Sequence, residues 1–463
     1  MRYLALCCDY DGTLADDGRV SSATLSAVER LRASGRKVVL VTGRVVAELQ
    51  TVCGRLDLFD RVVAENGACL YNPATDEERV LAARPPDIFI ETLRRRGVKP
   101  LSIGQVIVAA WLPHETIVLN AIHDLGLELQ VIFNKDAVMV LPTGINKASG
   151  LAVALRDLNL SPCNIVGIGD AENDHAFLAA CQIGVAVENA LPLLKDAADF
   201  VTRNARGAGV VELIEELLHD DLRARDGQFS RRRMVLGLEE SGEEMLQSVH
   251  DFNALLVGAP GEQLHAATSG LLERLTARGY NFCVVDPEGA YAVLDHALAI
   301  GNVTQAPALE DARQLLNTYD TNVVVSLEGV PIDARADFFA VLMKCILETR
   351  SRTGRPHWLV INEFPQLFRM SAGGSARAPW PSEGVLHLGT KLESTDQAAL
   401  RGISTVLAIG HHAQSTLDEV SAASDIASVA HTTVGLRPGE ALYWPVSQKR
   451  TPRKIRLPAG RAN

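Results

Sequence analysis

The sequence predicts an α/β protein made of two consecutive α/β parts, and three observations carry that reading. Short apolar runs that end abruptly in acidic or hydroxyl-bearing turns alternate with stretches of helical periodicity, the pattern of parallel strands joined by helices. The alternation restarts after a polar interruption at residues 218–233, LHDDLRARDGQFSRRR. The chain has 463 residues, which at roughly 150 residues per domain means about three structural units.

Composition narrows the class. Hydrophobic residues make up 47% and charged residues 22%, an ordinary globular balance that excludes wholesale disorder. Lys plus Arg number 45 against 56 Asp plus Glu, a net charge of −11, so no overall basic field draws the chain to nucleic acid or anionic lipid. No stretch reaches ~18 uninterrupted apolar residues, and the first apolar run meets Asp9 too soon for a secretory signal. The eight cysteines (Cys7, Cys8, Cys53, Cys69, Cys163, Cys181, Cys283 and Cys345) form no CxxC pair and suit a reducing cytoplasm.

Residues 3–8 read as a buried parallel strand delivering Asp9 and Asp11 of Asp9-Tyr10-Asp11-Gly12-Thr13-Leu14 to its C-terminal edge, where ligand chemistry of open α/β sheets sits. Ser21 or Ser22 can cap a helix with Leu25, Val28 and Leu31 on one face, and Gly35 can end it before a second strand at residues 38–41. That strand ends in Thr42-Gly43-Arg44. Farther on, Ile145-Asn146-Lys147 opens a helix, and a strand at residues 164–168 runs into Gly169-Asp170-Ala171-Glu172-Asn173-Asp174. Each of these side chains has a use in phosphoryl transfer. A carboxylate can approach a phosphate dianion only if a cation neutralises both, and a divalent metal on oxygen ligands does so, with Asp9 and Asp170 as its carboxylates. Thr42 and Lys147 can hold the phosphoryl oxygens, and Asp11 can protonate the leaving alkoxide and later activate water.

DYDGTL, VVLVTGR, INKASGL and GIGDAENDHAFL stand in the order of the haloacid dehalogenase (HAD) superfamily motifs, and residues 1–217 resemble its Cof-like phosphatases. The resemblance implies a Rossmann-like core at 1–84 and 143–217 with a small α+β cap at 85–142. It also implies Asp9 as nucleophile, Asp11 as general acid/base, and Mg²⁺ held by Asp9, the Asp11 carbonyl and Asp170, with Asp174 nearby. Asp11 favours phosphatases and phosphomutases over the superfamily's dehalogenases. Gly43, Arg44, Asn66 and Asn173 are the candidate substrate-binding residues; for Arg44 a surface ion pair and a phosphate clamp both stay open. The short cap suits a small phosphorylated metabolite, a sugar phosphate or a phosphoglycolate-like molecule. A phosphomutase and a regulatory or scaffold protein are the alternatives.

In the second part, taken as residues 234–440, a strand at 254–257 runs into Gly258-Ala259-Pro260-Gly261-Glu262-Gln263-Leu264-His265, with the position and length of a phosphate-binding loop. Such a loop needs Lys and Ser or Thr after its last glycine; here Gln263, Leu264 and His265 stand there. With CVVDPEGAY, NVVVSLEGVP and RPHWLVINEFPQLF following in order, the part resembles the RecA-like HerA–FtsK ATPases. Its Asn362-Glu363 stands where that class has Asp-Glu. The expectation is a degenerate nucleotide site (Gly258, Gly261, Leu264, His265, Asn362, Glu363) without ATP hydrolysis, left with weak nucleotide binding or assembly into a homo-oligomer. Residues 441–463 are expected as a basic, solvated tail, and neither nucleic acid nor a membrane is expected as a partner.

Overall fold

The computed structural model describes residues 1–229, 233–250, 252–259, 261–363, 367, 380–381, 383–390, 400, 402–423, 435–446 and 451–457. They form two compact units divided between residues 229 and 230.

In the first unit β1 (Ala5–Asp9) leads through α1 (Ser22–Ala33) to β2 (Lys37–Val41), then through α2 (Val46–Val52) to β3 (Arg61–Ala64), where the chain turns back as β4 (Cys69–Asn72) and β5 (Glu77–Val80). An insertion follows, containing α3 (Asp87–Arg95), β6 (Ser102–Ile103), β7 (Val108–Trp111), α4 (Glu115–Asp124), β8 (Leu129–Asn134) and β9 (Ala137–Pro142). The chain re-enters the sheet through α5 (Lys147–Asp157), β10 (Ile165–Gly169), α6 (His175–Ala180), β11 (Ile183–Ala186), α7 (Pro192–Ala197) and β12 (Phe200–Val201), closing with α8 (Arg206–Asp220). The main sheet has the order β12-β11-β10-β1-β2-β3-β4-β5, parallel from β12 to β3 and antiparallel beyond. The insertion has its own antiparallel sheet, β6-β7-β9-β8, and its own core around Phe89, Leu93, Val118 and Val140.

Local chemistry explains the element ends. Ser21 caps α1, its hydroxyl accepting the Thr24 N–H. Asn146 and Ser149 form a reciprocal capping box that fixes Lys147 as the first residue of α5. The sheet order matters most: β1 is flanked by β10 and β2, so the residues ending these three strands become neighbours at one edge.

The second unit is built on a parallel sheet of β15 (Asn253–Val257), β16 (Phe282–Asp286), β17 (Ala297–Ile300), β18 (Asn322–Ser326), β19 (Trp358–Ile361), β20 (Val385–Gly389) and β21 (Thr405–Ile409), in the order β21-β15-β20-β19-β16-β18-β17. Before it in sequence, β13 (Met234–Glu239) and β14 (Glu244–Gln247) form a hairpin; after it come β22 (Glu440–Trp444) and β23 (Arg453–Arg456), and all four strands extend the same sheet. The helix Glu262–Ala277 follows β15 directly.

Two boundaries move. Most of the polar segment expected to be a linker at 218–233 belongs to the first unit: the Asp221 carboxylate takes the Arg2 N–H and the Arg36 guanidinium, Asp226 pairs with Arg2, and Leu222 and Phe229 enter the core. Asp221 and Asp226 are matched by the buried Arg36 and Arg2, and Arg225 pairs with Glu216. The expected tail at 441–463 carries sheet strands instead. Ile455 is buried between Ala441 and Glu239, and Arg453 and Lys454 pair with Glu239, Glu240 and Glu440. Lys449, Arg450 and Arg461, counted with that tail, lie outside the described residues.

Candidate active site and the degenerate loop

The parallel edge of the first unit brings the expected residues together. Asp9 ends β1 and is 4% exposed. Lys147, 1% exposed, places its Nζ 2.6 Å from Asp9 Oδ1 and 2.6 Å from Asp174 Oδ1. Asp174 Oδ2 accepts the backbone N–H groups of Asp170 and Ala171, each at 2.9 Å. Both oxygens of Asp174 are therefore occupied in holding Lys147 and the β10 loop. Asp170 accepts from the Thr13 hydroxyl through Oδ1 at 3.2 Å.

Burial and the neighbouring Asp174 push the Asp9 carboxyl well above the ordinary carboxylate range, against the pull of Lys147. Burial opposes the charge on Lys147, but Asp174 and Asp9 outweigh it and raise its pKa. Asp170 is raised by burial, against the pull of a second ammonium, that of Lys135. Oxygens of Asp9, Asp170 and Asp174 all lie within 4.8 Å of one another. Asp9 and Asp170 thus offer buried, hard carboxylate oxygens that fit a Mg²⁺-like cation, while Asp174 holds Lys147 and the β10 loop.

Thr42, after β2, is 1% exposed, and its hydroxyl accepts the Arg44 N–H at 3.1 Å. Arg44 grips Asp11 bidentately, Nε to Oδ2 at 2.6 Å and Nη2 to Oδ1 at 2.7 Å, a partly buried ion pair. Asn173 Nδ2 donates to Asn66 Oδ1 at 3.0 Å, and Asn66 Nδ2 and Asn173 Oδ1 are buried without a hydrogen-bond partner among the described residues. Gly43 packs under the Met139 methyl of β9, beside the Asn173 amide.

Three contacts escape the sequence reading. Glu65, at φ 49°, accepts N–H groups of Gln105, Val106 and Ile107, each at 2.8 Å, clamping the insertion to the core. Lys135, at the two-residue turn between β8 and β9, reaches from the insertion to Asp170 Oδ2 at 3.0 Å. Gly12 makes room for this: at φ 86° it has left-handed backbone, and a Cβ there would clash with the Asp170 carboxylate. A Lys at a hairpin tip within an insertion was a usable signal for Lys135, but its reach was not readable.

Residues 6–90 and 122–214 match the family profile of haloacid dehalogenase-like hydrolases. A phosphoglycolate phosphatase of Methanothermobacter thermautotrophicus is 31% identical over 224 residues, covering 46% of this chain and 98% of the relative. The chain belongs to the haloacid dehalogenase-like hydrolases. Phosphoglycolate phosphatase 2 of Saccharolobus solfataricus is 30% identical over 217 residues, covering 45% of this hydrolase and 90% of the relative. A crystal structure of a haloacid dehalogenase-like hydrolase from Bacteroides thetaiotaomicron aligns at a TM-score of 0.42 with 20% identity, covering 46% of this chain and 99% of that one. The hydrolase is a phosphatase of this superfamily, a phosphoric monoester hydrolase.

In the second unit Gly261, Leu264, His265, Asn362 and Glu363 line one cavity of about 680 Å³; Gly258 lines another, with His411 and His412. The first cavity also receives Glu262, Glu273, Glu288 and Asp295, and no Lys or Arg among the described residues. Asn362 Nδ2 donates to Asp286 Oδ1 at 2.9 Å, and the His265 ring stacks on Tyr291 with centroids 5.0 Å apart. The acidic lining opposes a triphosphate. Among the described residues no helix is long and apolar enough to cross a membrane.

Proposed function

We propose that the first unit hydrolyses a small phosphorylated metabolite, a sugar phosphate or a phosphoglycolate-like molecule, through an aspartyl-phosphate on Asp9. The observation that carries this is Asp9 at the end of the central strand with Oδ1 held by Lys147. Asp9 Oδ2 attacks phosphorus while the bond to the leaving oxygen breaks and Asp11 gives that oxygen a proton. Asp11 then takes a proton from the water that attacks phosphorus, the bond to Asp9 breaks, and phosphate leaves. Thr42, the Gly43 N–H and Lys147 hold the phosphoryl oxygens. Asp11 must leave Arg44 to act as an acid, so the pair at 2.6 Å is a resting arrangement that substrate opens. Mg²⁺ bound by Asp9, Asp170 and the Asp11 carbonyl would neutralise the approach of two anions. The two phosphoglycolate phosphatases at 30–31% identity support hydrolysis over mutase chemistry. A phosphate-release screen of phosphosugars, phosphoglycolate and nucleotides on the full chain tests the reading. Release from none, equal in wild type and Asp9→Asn, refutes it.

For the second unit we infer a RecA-like fold without ATP hydrolysis, serving weak nucleotide binding or assembly of copies. Leu264, His265 and Asn362 in place of Lys, Ser/Thr and Asp, together with the acidic cavity, support this. Titration with a fluorescent ATP analogue tests it; tight binding with turnover refutes it. The burial of all eight cysteines fits a cytoplasmic setting.

A further inference from the structure

We propose that Lys135 of the insertion selects substrates whose leaving group carries a second anion, such as a carboxylate. This rests on the phosphatase reading and narrows its substrate class. The Lys135 ammonium extends from the core-facing tip of the β8–β9 hairpin, and its one ion pair among the described residues is with Asp170 Oδ2 at 3.0 Å. The tip is docked as well as charged: the Lys135 N–H meets Glu172 Oε2 at 3.3 Å, and Lys135 itself has φ 54°, a strained conformation for a residue with a side chain. A Cβ on Gly12 would lie 3.0 Å from the ammonium, so Lys135 sits beside the residue that follows Asp11. Asp11 is the acid at the leaving oxygen, which puts Lys135 on the leaving-group side of the site.

The phosphoryl side is already provided with Thr42, Gly43 and Lys147. Lys135 is half exposed, at 53%, and becomes surplus to Asp170 once a divalent cation takes that carboxylate. A flexible four-carbon stem then lets the ammonium turn to an anionic group on the leaving moiety. Met139, from the same hairpin, sets its methyl over Gly43, an apolar contact from the insertion beside the charged one. A small leaving group with a single carboxylate matches that pair of contacts; a neutral polyol leaves the Lys135 charge unmatched.

The test uses the full chain with Mg²⁺ and compares 2-phosphoglycolate with ethyl phosphate, which lacks the carboxylate. Wild type favours phosphoglycolate in kcat/KM, and Lys135→Met lowers that preference by about 10- to 100-fold, mainly through KM, the size expected for a charge-assisted contact. Lys135→Arg keeps most of it. A ratio unchanged within twofold in Lys135→Met, or both substrates falling in parallel as Mg²⁺ affinity changes, overturns the proposal, because Lys135 then acts only through Asp170. Calorimetric binding of 3-phosphonopropionate against propylphosphonate reads the same preference without turnover. If wild type hydrolyses neither ester, the phosphate-release screen decides on Asp9, and this binding comparison still decides on Lys135: equal affinities reject it.

Discussion

Asp9 and Asp286 each end a buried parallel strand, β1 and β16, at 4% and 0% exposure. Their partners differ. Asp9 faces a distant ammonium through one oxygen, with Asp174 and Asp170 crowding it, and burial holds its carboxyl in the less ionised direction. Asp286 spends its oxygens on neighbours: Oδ1 accepts the Glu288 N–H at 3.1 Å and the Asn362 amide at 2.9 Å, and Oδ2 accepts the Tyr291 N–H at 2.7 Å. One carboxylate has an ammonium and two further carboxylates about it, the setting that the proposed nucleophile and metal ligand needs. The other is satisfied by neutral donors, the state of a structural residue. Position at a strand end does not separate the two; the partners do.

The largest expected break in this comparison is in activity. Asp9→Asn lowers phosphate release by at least about 10⁴-fold, as loss of a covalent nucleophile does, whereas Asp286→Ala leaves release from the same substrate within twofold. Phosphate assays on both variants check this, and removal of Mg²⁺ by a chelator is expected to mimic Asp9→Asn.

Next in size is the stability cost of Lys147→Met. It leaves Asp9 and Asp174 facing each other without their cation, an expected loss of about 3–5 kcal/mol in metal-free denaturant unfolding. Mg²⁺ is expected to restore part of it by binding the exposed carboxylates. Asp286→Ala strands three donors and is expected to cost about 1–3 kcal/mol, in the second unit's transition alone.

The smallest effect is a pH dependence of opposite sign in the two units. The Asp9 pKa is raised in the fold, so its favourable contribution is complete below the unfolded value of about 4 and is lost as pH rises through the folded value. Metal-free, the first unit therefore loses this contribution on alkalinisation. In the second unit burial lowers His357 well below its usual value and His387 to about 3. His357 Nδ1 accepts the Asn281 N–H at 2.8 Å, which demands the neutral ring. Lowered histidines contribute stability above the unfolded value of about 6.5 and lose it as pH falls toward the folded one. Melting of the metal-free chain at pH 7 and pH 5 should show the second unit's transition falling, and His387→Gln should flatten that slope.

Particular residues show how far the chain could be read directly. Asp9, Asp11, Thr42, Lys147, Asp170 and Asp174 were legible because each ends an apolar strand or opens a helix, and parallel strands put such ends on one edge. Asn66 and Asn173 were found as well, though not their mutual hydrogen bond. The segment 218–229 and the strands after residue 440 were misjudged for one reason. Charged residues look solvated in a sequence, and Arg2, Arg36, Glu239 and Glu440, which neutralise them, lie up to 224 residues away. The Glu65 clamp and Lys135 were out of reach in the same way.

The order of residues along the chain was enough for the α/β class, for the carboxylates and lysine that gather at one sheet edge and for the residue types in the second unit's loop, because strand ends, helix starts and residue types are local properties. Which carboxylates meet an ammonium, which insertion residue enters the site and where a charged segment is pinned came from folding. Burial and pairing across long separations set the charge state of each group, and neither exists until the sheets have formed.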